Sequence, residues 1–191
     1  MTPFTTLEGE AVALASANID TDQIIPARFL RKDRSAGYQN FLFHDLRTQP
    51  DFPLNGHQPV ILVAGPNFGC GSSREGAVYA LVDAGIRCVI AASFGDIFAA
   101  NAAKNGLLTV MLADAELAPI RAMLPSRMSV DLPAQRLRLP DGSERAFEID
   151  AFRKRCLVEG LDDIGLTLEH QARIGAFQQQ DRAARPWALP A

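Results

Sequence analysis

PVILVAGPNFGCGSSREGAVYALVDAGIRCVIAASF, residues 59–94, decides the fold. Its opening PVILVA (59–64) is continuous, apolar and rich in β-branched residues, the pattern of a strand buried on both faces. The spacing then predicts a helix from about Ser73 to Ala84, with Ala77, Val78, Leu81 and Val82 on its apolar side and Gly85 as its stop. RCVIAA (87–92) is a second buried strand, FGDIFAANAAKN (94–105) a second helix ended by Gly106, and LLTVML (107–112) a third strand. Strands alternating with helices at this spacing predict βαβ units, a parallel sheet and an α/β fold.

Outward from this centre the signals weaken. A short alternating segment at 9–15 precedes the polar turn NIDTD, and residues 31–58 read as a long, charged surface loop with one short helix near 41–46. After a helix at 115–124, the segments 128–132, 136–140 and 145–149 read as short antiparallel strands, two of them joined by the turn PDGS. Residues 150–160 form a helix ended by Gly160. A last helix is expected over 167–179, with the tail from about 180 frayed. The length suits one domain across 1–191.

Composition narrows the function. Of 191 residues 48% are hydrophobic and the formal net charge is -3, so the chain has the content of a packed domain and no basic field for nucleic acid or anionic membrane. No apolar run approaches the roughly 18 residues that span a bilayer, and the first residues lack a secretory pattern, so a cytoplasmic location is expected. Cys70, Cys88 and Cys156 form no C-x-x-C pair, and His44, His57 and His170 are equally scattered. No metal site is legible in this chain.

NFGCGSSREG (67–76) carries the chemistry and has three readings. As a capping box, Ser72 is the N-cap and Glu75 the third helical residue, a form that SFGD at 93–96 repeats. As an anion site, a glycine turn ends a strand and starts a helix, so free N–H groups, Ser72, Ser73 and Arg74 gather beyond the strand. Neither G-K-[ST] nor G-x-G-x-x-G is present, which favours a carboxylate over a phosphate or dinucleotide. As a nucleophile site, Cys70 sits at a positive helix end, without a histidine in any recognisable local relation to it. NIDTDQIIP (18–26) reads on its own as an Asx turn and helix cap.

NIDTDQIIPARFL, NFGCGSSRE, VIAASFGDIFAAN and FRKRCLVEGLDDIGLTLEH, in this order from about residue 7 to 178, resemble the small subunits of 3-isopropylmalate dehydratase, the swivelling domain of the aconitase superfamily. The resemblance implies a three-layer β/β/α fold and an enzyme that interconverts 2- and 3-isopropylmalate in leucine biosynthesis by dehydration and rehydration. It implies a large-subunit partner holding a [4Fe–4S] cluster, in a heterodimer or higher assembly, and a hydroxy dicarboxylate substrate. By residue, it makes Ser72 the base and Ser73 and Arg74 carboxylate binders, with Asp20, Asp22, Gly69, Cys70, Gly71 and Glu75 supporting them. It places substrate recognition among Arg28, Arg31 and Arg34 on the following loop. The family continues SSRE with His where this chain has Gly76. A related hydro-lyase subunit acting on 2-methylmalate or citraconate, and a noncatalytic carboxylate- or partner-binding module, are the alternatives.

Overall fold

The computed structural model describes residues 1–188. One sheet of seven strands, in the order β4-β3-β2-β1-β5-β6-β7, organises the chain. β1 (Thr6–Leu14), β2 (Ile61–Ala64), β3 (Cys88–Ala91) and β4 (Leu108–Met111) are parallel neighbours, registered by Leu14 opposite Ala64, Val63 opposite Ile90 and Ile90 opposite Val110. β5 (Ser126–Asp131), β6 (Arg136–Arg138) and β7 (Glu144–Ala146) continue antiparallel from the other edge of β1, and the expected PDGS hairpin joins the last two. The chain is therefore α/β with a parallel core and added antiparallel strands, as the sequence pattern predicts.

The continuous apolar runs of β2 and β3 are explained by two cores, one on each face. Leu62, Ala64 and Val89 pack under a layer formed by α2 (Glu75–Asp83) and α3 (Asp96–Lys104), through Val78, Leu81 and Phe98. Their alternating neighbours Ile61, Val63, Cys88 and Ile90 pack instead on Met128, Val130 and Leu137 of the antiparallel half, with Leu117 and Ile120 of α4 (Asp114–Ala122) and Leu157 of α5 (Ala151–Glu159). The antiparallel half thus folds behind the parallel half, giving layers of strands, strands and helices. Burial pushes the Cys88 thiol far up in pKa, which suits an inert core residue.

Three expectations need correction. Residues 31–58 are no simple surface loop, and no helix spans 41–46. Short 3-10 turns at Arg34–Ala36, Tyr38–Phe41 and Leu46–Thr48 bring Tyr38, Leu42, Phe43, Phe52 and Leu54 into the helical-side core. Turns this brief leave no periodicity to read. The last helix is two, α6 (Asp163–Leu168) and α7 (Gln171–Ala184), and the first starts before the expected residue because Asp162 caps it by accepting from the Gly165 N–H at 2.8 Å. Residues 180–184 are helical rather than frayed, with Asp181 and Arg185 paired one turn apart, while the end of the tail at 189–191 lies outside the described residues. Among the described residues no helix is long and apolar enough to cross a membrane.

Gly65, just after β2, sits where an added Cβ would lie 2.3 Å from the Ser16 carbonyl oxygen. That neighbour is backbone and cannot rotate away. Gly85 is open on that side, and its need for glycine is a left-handed φ of +88°. Gly65→Ala is expected to cost ~3 kcal/mol through steric strain, and Gly85→Ala nearer ~1 kcal/mol through its backbone conformation alone. Urea denaturation midpoints of the two variants check the order.

Candidate active site

The parallel strands β1, β2 and β3 end side by side, and their chains remain bonded to one another after the strands stop. Gly69 N–H donates to the Ile19 carbonyl at 2.7 Å, and Thr21 N–H donates to the Cys70 carbonyl at 3.0 Å. On the other side Phe68 N–H donates to the Ser93 carbonyl at 3.1 Å, and Gly95 N–H returns to the Phe68 carbonyl at 3.0 Å. The turn 67–72 is thereby held between residues 18–21 and 93–95, at the carboxyl ends of the strands where open α/β sheets bind ligands.

Glycine is required here for two different reasons. Gly69 has φ of +73°, and a Cβ on it would lie 2.2 Å from the Phe98 ring, so the space belongs to the core. Gly71 has φ of +89° and turns the chain outward with only ordinary contacts around it. Ser72 follows and is exposed, as is Ser73.

The capping-box reading of Ser72 and Glu75 does not hold. The N-cap of α2 is Arg74, without a side-chain cap bond. Thr21 Oγ1 donates to the Ser72 carbonyl at 2.9 Å, which ties residue 72 to the start of the short helix Thr21–Ile24, and α2 begins only after Arg74. Glu75 turns away and accepts from Asn105 Nδ2 at 2.8 Å. The repeat at 93–96 fails in the same way. Ser93 Oγ accepts from the Asn67 N–H at 2.8 Å, and α3 begins on Gly95 with no side-chain cap. The box that does form is on α1 (Thr21–Ile24), where Asp20 Oδ1 accepts from Gln23 N–H at 2.7 Å and Gln23 Oε1 accepts from Asp20 N–H at 2.9 Å. The cap reading of NIDTD is the one the structure adopts.

A cavity of about 250 Å³ opens beside this turn, lined by Thr21, Gly69, Cys70, Gly71, Ser72, Arg74 and the first turn of α3 from Gly95 to Phe98. Two uncapped helix starts meet there, each the positive end of its helix. Arg74 is mostly covered and forms an ion pair with Asp22. The Arg74 hydrogen bond is the main cause holding the Asp22 carboxyl below its ordinary value, against partial desolvation and with help from the Ala27 N–H. Asp22 fixes the guanidinium, and Ser72 lies free beside it.

Of the other residues marked in the sequence, Asp20 backs the turn through its bridge to Cys70. Ser73 lies outside the cavity lining. Arg28 donates to Asp45 at 2.9 Å and lies over the Phe29 ring. Arg34 binds Asp83 at 2.6 Å and faces a separate cavity of about 570 Å³ that also takes in Glu75. Arg31 is exposed. None of these three arginines lines the serine cavity, and neither do His44, His57 or His170. Thr21, Asp96 and Ile97 belong to the cavity and were missed. The DTD and SFGD motifs hold all but Ile97, yet both read first as caps. Among the described residues no group of three or more His, Cys, Asp or Glu side chains could hold a metal ion.

A protein of Xanthobacter autotrophicus named 3-isopropylmalate dehydratase small subunit is 48% identical to this chain over 200 residues, covering 98% of this chain and 100% of that one. The chain belongs to the 3-isopropylmalate dehydratase small-subunit family. Small subunits from Rhodopseudomonas palustris, at 48% identity over 201 residues (98% of this chain and 100% of that one), and Rhodospirillum centenum, at 46% over 202 (99% and 100%), match as fully. The aconitase C-terminal domain family matches residues 1–115, and the family of C-terminal domains of the 3-isopropylmalate dehydratase small subunit matches 163–191. A crystal structure of 3-isopropylmalate dehydratase from Methanocaldococcus jannaschii superimposes with a TM-score of 0.70 at 27% identity, covering 91% of this chain and 99% of that one.

The ion pair of Asp22 and Arg74 has a signed consequence. A carboxyl whose pKa is lowered in the folded chain stabilises it above the ordinary value of 3.8 and loses that contribution as pH falls through the lowered one. Wild type is therefore expected to exceed Asp22→Asn in stability at neutral pH, by less than ~1 kcal/mol because the pair is half open to water. The gap should close in acid below pH 3.8, as thermal unfolding of both proteins across pH checks.

Proposed function

We propose that this chain is the small subunit of a two-subunit hydro-lyase that interconverts 2- and 3-isopropylmalate by dehydration and rehydration in leucine biosynthesis. Family membership supports the reaction. The observation that carries the site is an exposed Ser72 beside a clamped Arg74 on one cavity, at the starts of two uncapped helices. In this reading Ser72 Oγ takes the proton from the carbon next to a substrate carboxylate, and Arg74 with the nearby N–H groups holds that carboxylate.

A serine oxygen serves as a base only if its negative form is stabilised. Arg74 and the two helix starts supply positive potential, which grows in strength once water is excluded. Ser72 is open to water in this chain, so the large subunit must cover it. The departing hydroxyl needs separate activation. We assign that to a [4Fe–4S] cluster of the large subunit, where iron acts as a Lewis acid. This chain offers that cluster no cysteine set: Cys88 is buried in β3, Cys156 is buried in α5, and Cys70 stands alone on the turn. We place the working complex in the cytoplasm.

The test is anaerobic co-expression with a large-subunit partner, followed by hydration of isopropylmaleate and of citraconate. Preference for isopropylmaleate is expected, and preference for citraconate would move the protein to another pathway. Ser72→Ala should lower kcat by ~10²–10⁴ with the complex still eluting intact. Full activity in that variant would remove Ser72 as the base.

A further inference from the structure

We infer that Gly76 is a positioning residue, whose missing side chain seats the cation-bearing loop 27–37 against the first turn of α2 and so sets substrate affinity. Gly76 lies two residues beyond Arg74 on the helix that starts at the cavity. A Cβ at this position would come within 2.5 Å of Leu30 Cδ2 and 3.4 Å of Tyr38 Cε2. Gly76 has a negative φ, so backbone conformation does not call for glycine here. The space is taken by the loop.

Other contacts of the loop and of Tyr38 just beyond it also run to α2. Tyr38 is buried, with its ring centroid 6.3 Å from that of Tyr79, and its hydroxyl donates to the Lys32 carbonyl at 3.0 Å. Arg34 lies 4.1 Å over the Tyr79 ring and donates from Nε to Asp83 at 3.0 Å. Phe29 of the loop stacks on Phe41, which follows it, at 4.4 Å. These contacts hold the middle and far side of the loop. Leu30 on Gly76 is the loop's contact with the first turn of α2.

The functional weight comes from charge. A substrate with two carboxylates needs more than one cation, and the guanidinium at the cavity is already engaged by Asp22. The loop leaves the cavity wall through α1 and presents Arg31 and Lys32, both exposed, next to Arg28, which Asp45 already engages. Among the described residues Arg31 has no carboxylate partner within salt-bridge distance. Where Leu30 rests decides how far these cations stand from Ser72. A side chain at 76 displaces Leu30, the flexible end of the contact, and shifts the loop while leaving the sheet untouched. The inference rests on the reading of the chain as a dicarboxylate hydro-lyase subunit.

The experiment uses the reconstituted two-subunit enzyme with wild type, Gly76→Ala, Gly76→His, Leu30→Ala and the double Gly76→His/Leu30→Ala. Gly76→His should raise KM for isopropylmaleate about tenfold with kcat within about threefold, the signature of lost binding rather than lost chemistry. Gly76→Ala, a mild change for a helix, should move KM in the same direction by less, and it keeps the test open if the histidine variant does not fold. Hydrogen exchange of each isolated chain should show faster exchange in 27–37 for the position-76 variants, with 6–14 unchanged. The double variant should recover most of both effects, because removing the Leu30 side chain vacates the contested space. Plain addition of the two single effects, unchanged loop exchange, or altered exchange with KM unmoved would each overturn the inference. Inactivity of wild type on both substrates would count against the hydro-lyase reading, while exchange still decides the seating of Leu30 on Gly76.

Discussion

The backbone ladder that continues past the ends of β1, β2 and β3 is the constraint on which the site depends. Ile19 and Cys70 carbonyls on one side, and Ser93 and Phe68 carbonyls on the other, bind three successive turns into one rigid edge. Two buried faces of the sheet hold the strands in register, and the register sets the turns. A Cβ at Gly69 would strike Phe98, so the helix behind the site also limits where the turn can lie. Ser72 owes its outward position to this framework and not to a helix cap.

The charges follow the same framework. Asp20 caps α1 and, two residues later, Asp22 reaches the Arg74 guanidinium, so a short helix joins the first turn to the second. Arg74 is thereby fixed while Ser72 stays exposed, an arrangement suited to a surface that becomes a closed site when covered. The loop after α1 returns over α2 through Leu30, Tyr38 and Arg34, so one helix supports both the serine turn and the nearest group of exposed cations.

Much of this was legible because its signals are local. Three continuous apolar runs, separated by two helices that stop at Gly85 and Gly106, mark the parallel core, and PDGS marks the hairpin. What failed was also systematic. Ser72 with Glu75 and Ser93 with Asp96 have the spacing of caps, yet Thr21 and Asn67, both distant in sequence, claim the 72 carbonyl and the 93 hydroxyl first. Residues 31–58 carry five buried core residues within turns too short to show a period. Arg28 and Arg34 looked free for substrate, but Asp45 and Asp83 occupy them.

The sequence by itself determined the α/β class, the place of the glycine turn after β2, the serine and arginine it presents, and the family resemblance. These depend on residue type and short spacing, which a linear chain displays. Tertiary structure alone decided which of the three candidate caps forms, which carboxylate holds Arg74, and what fills the space beside residue 76. Each of those is settled by partners tens of residues away, such as Thr21 for Ser72 and Leu30 for Gly76, that meet only when the strands are in register.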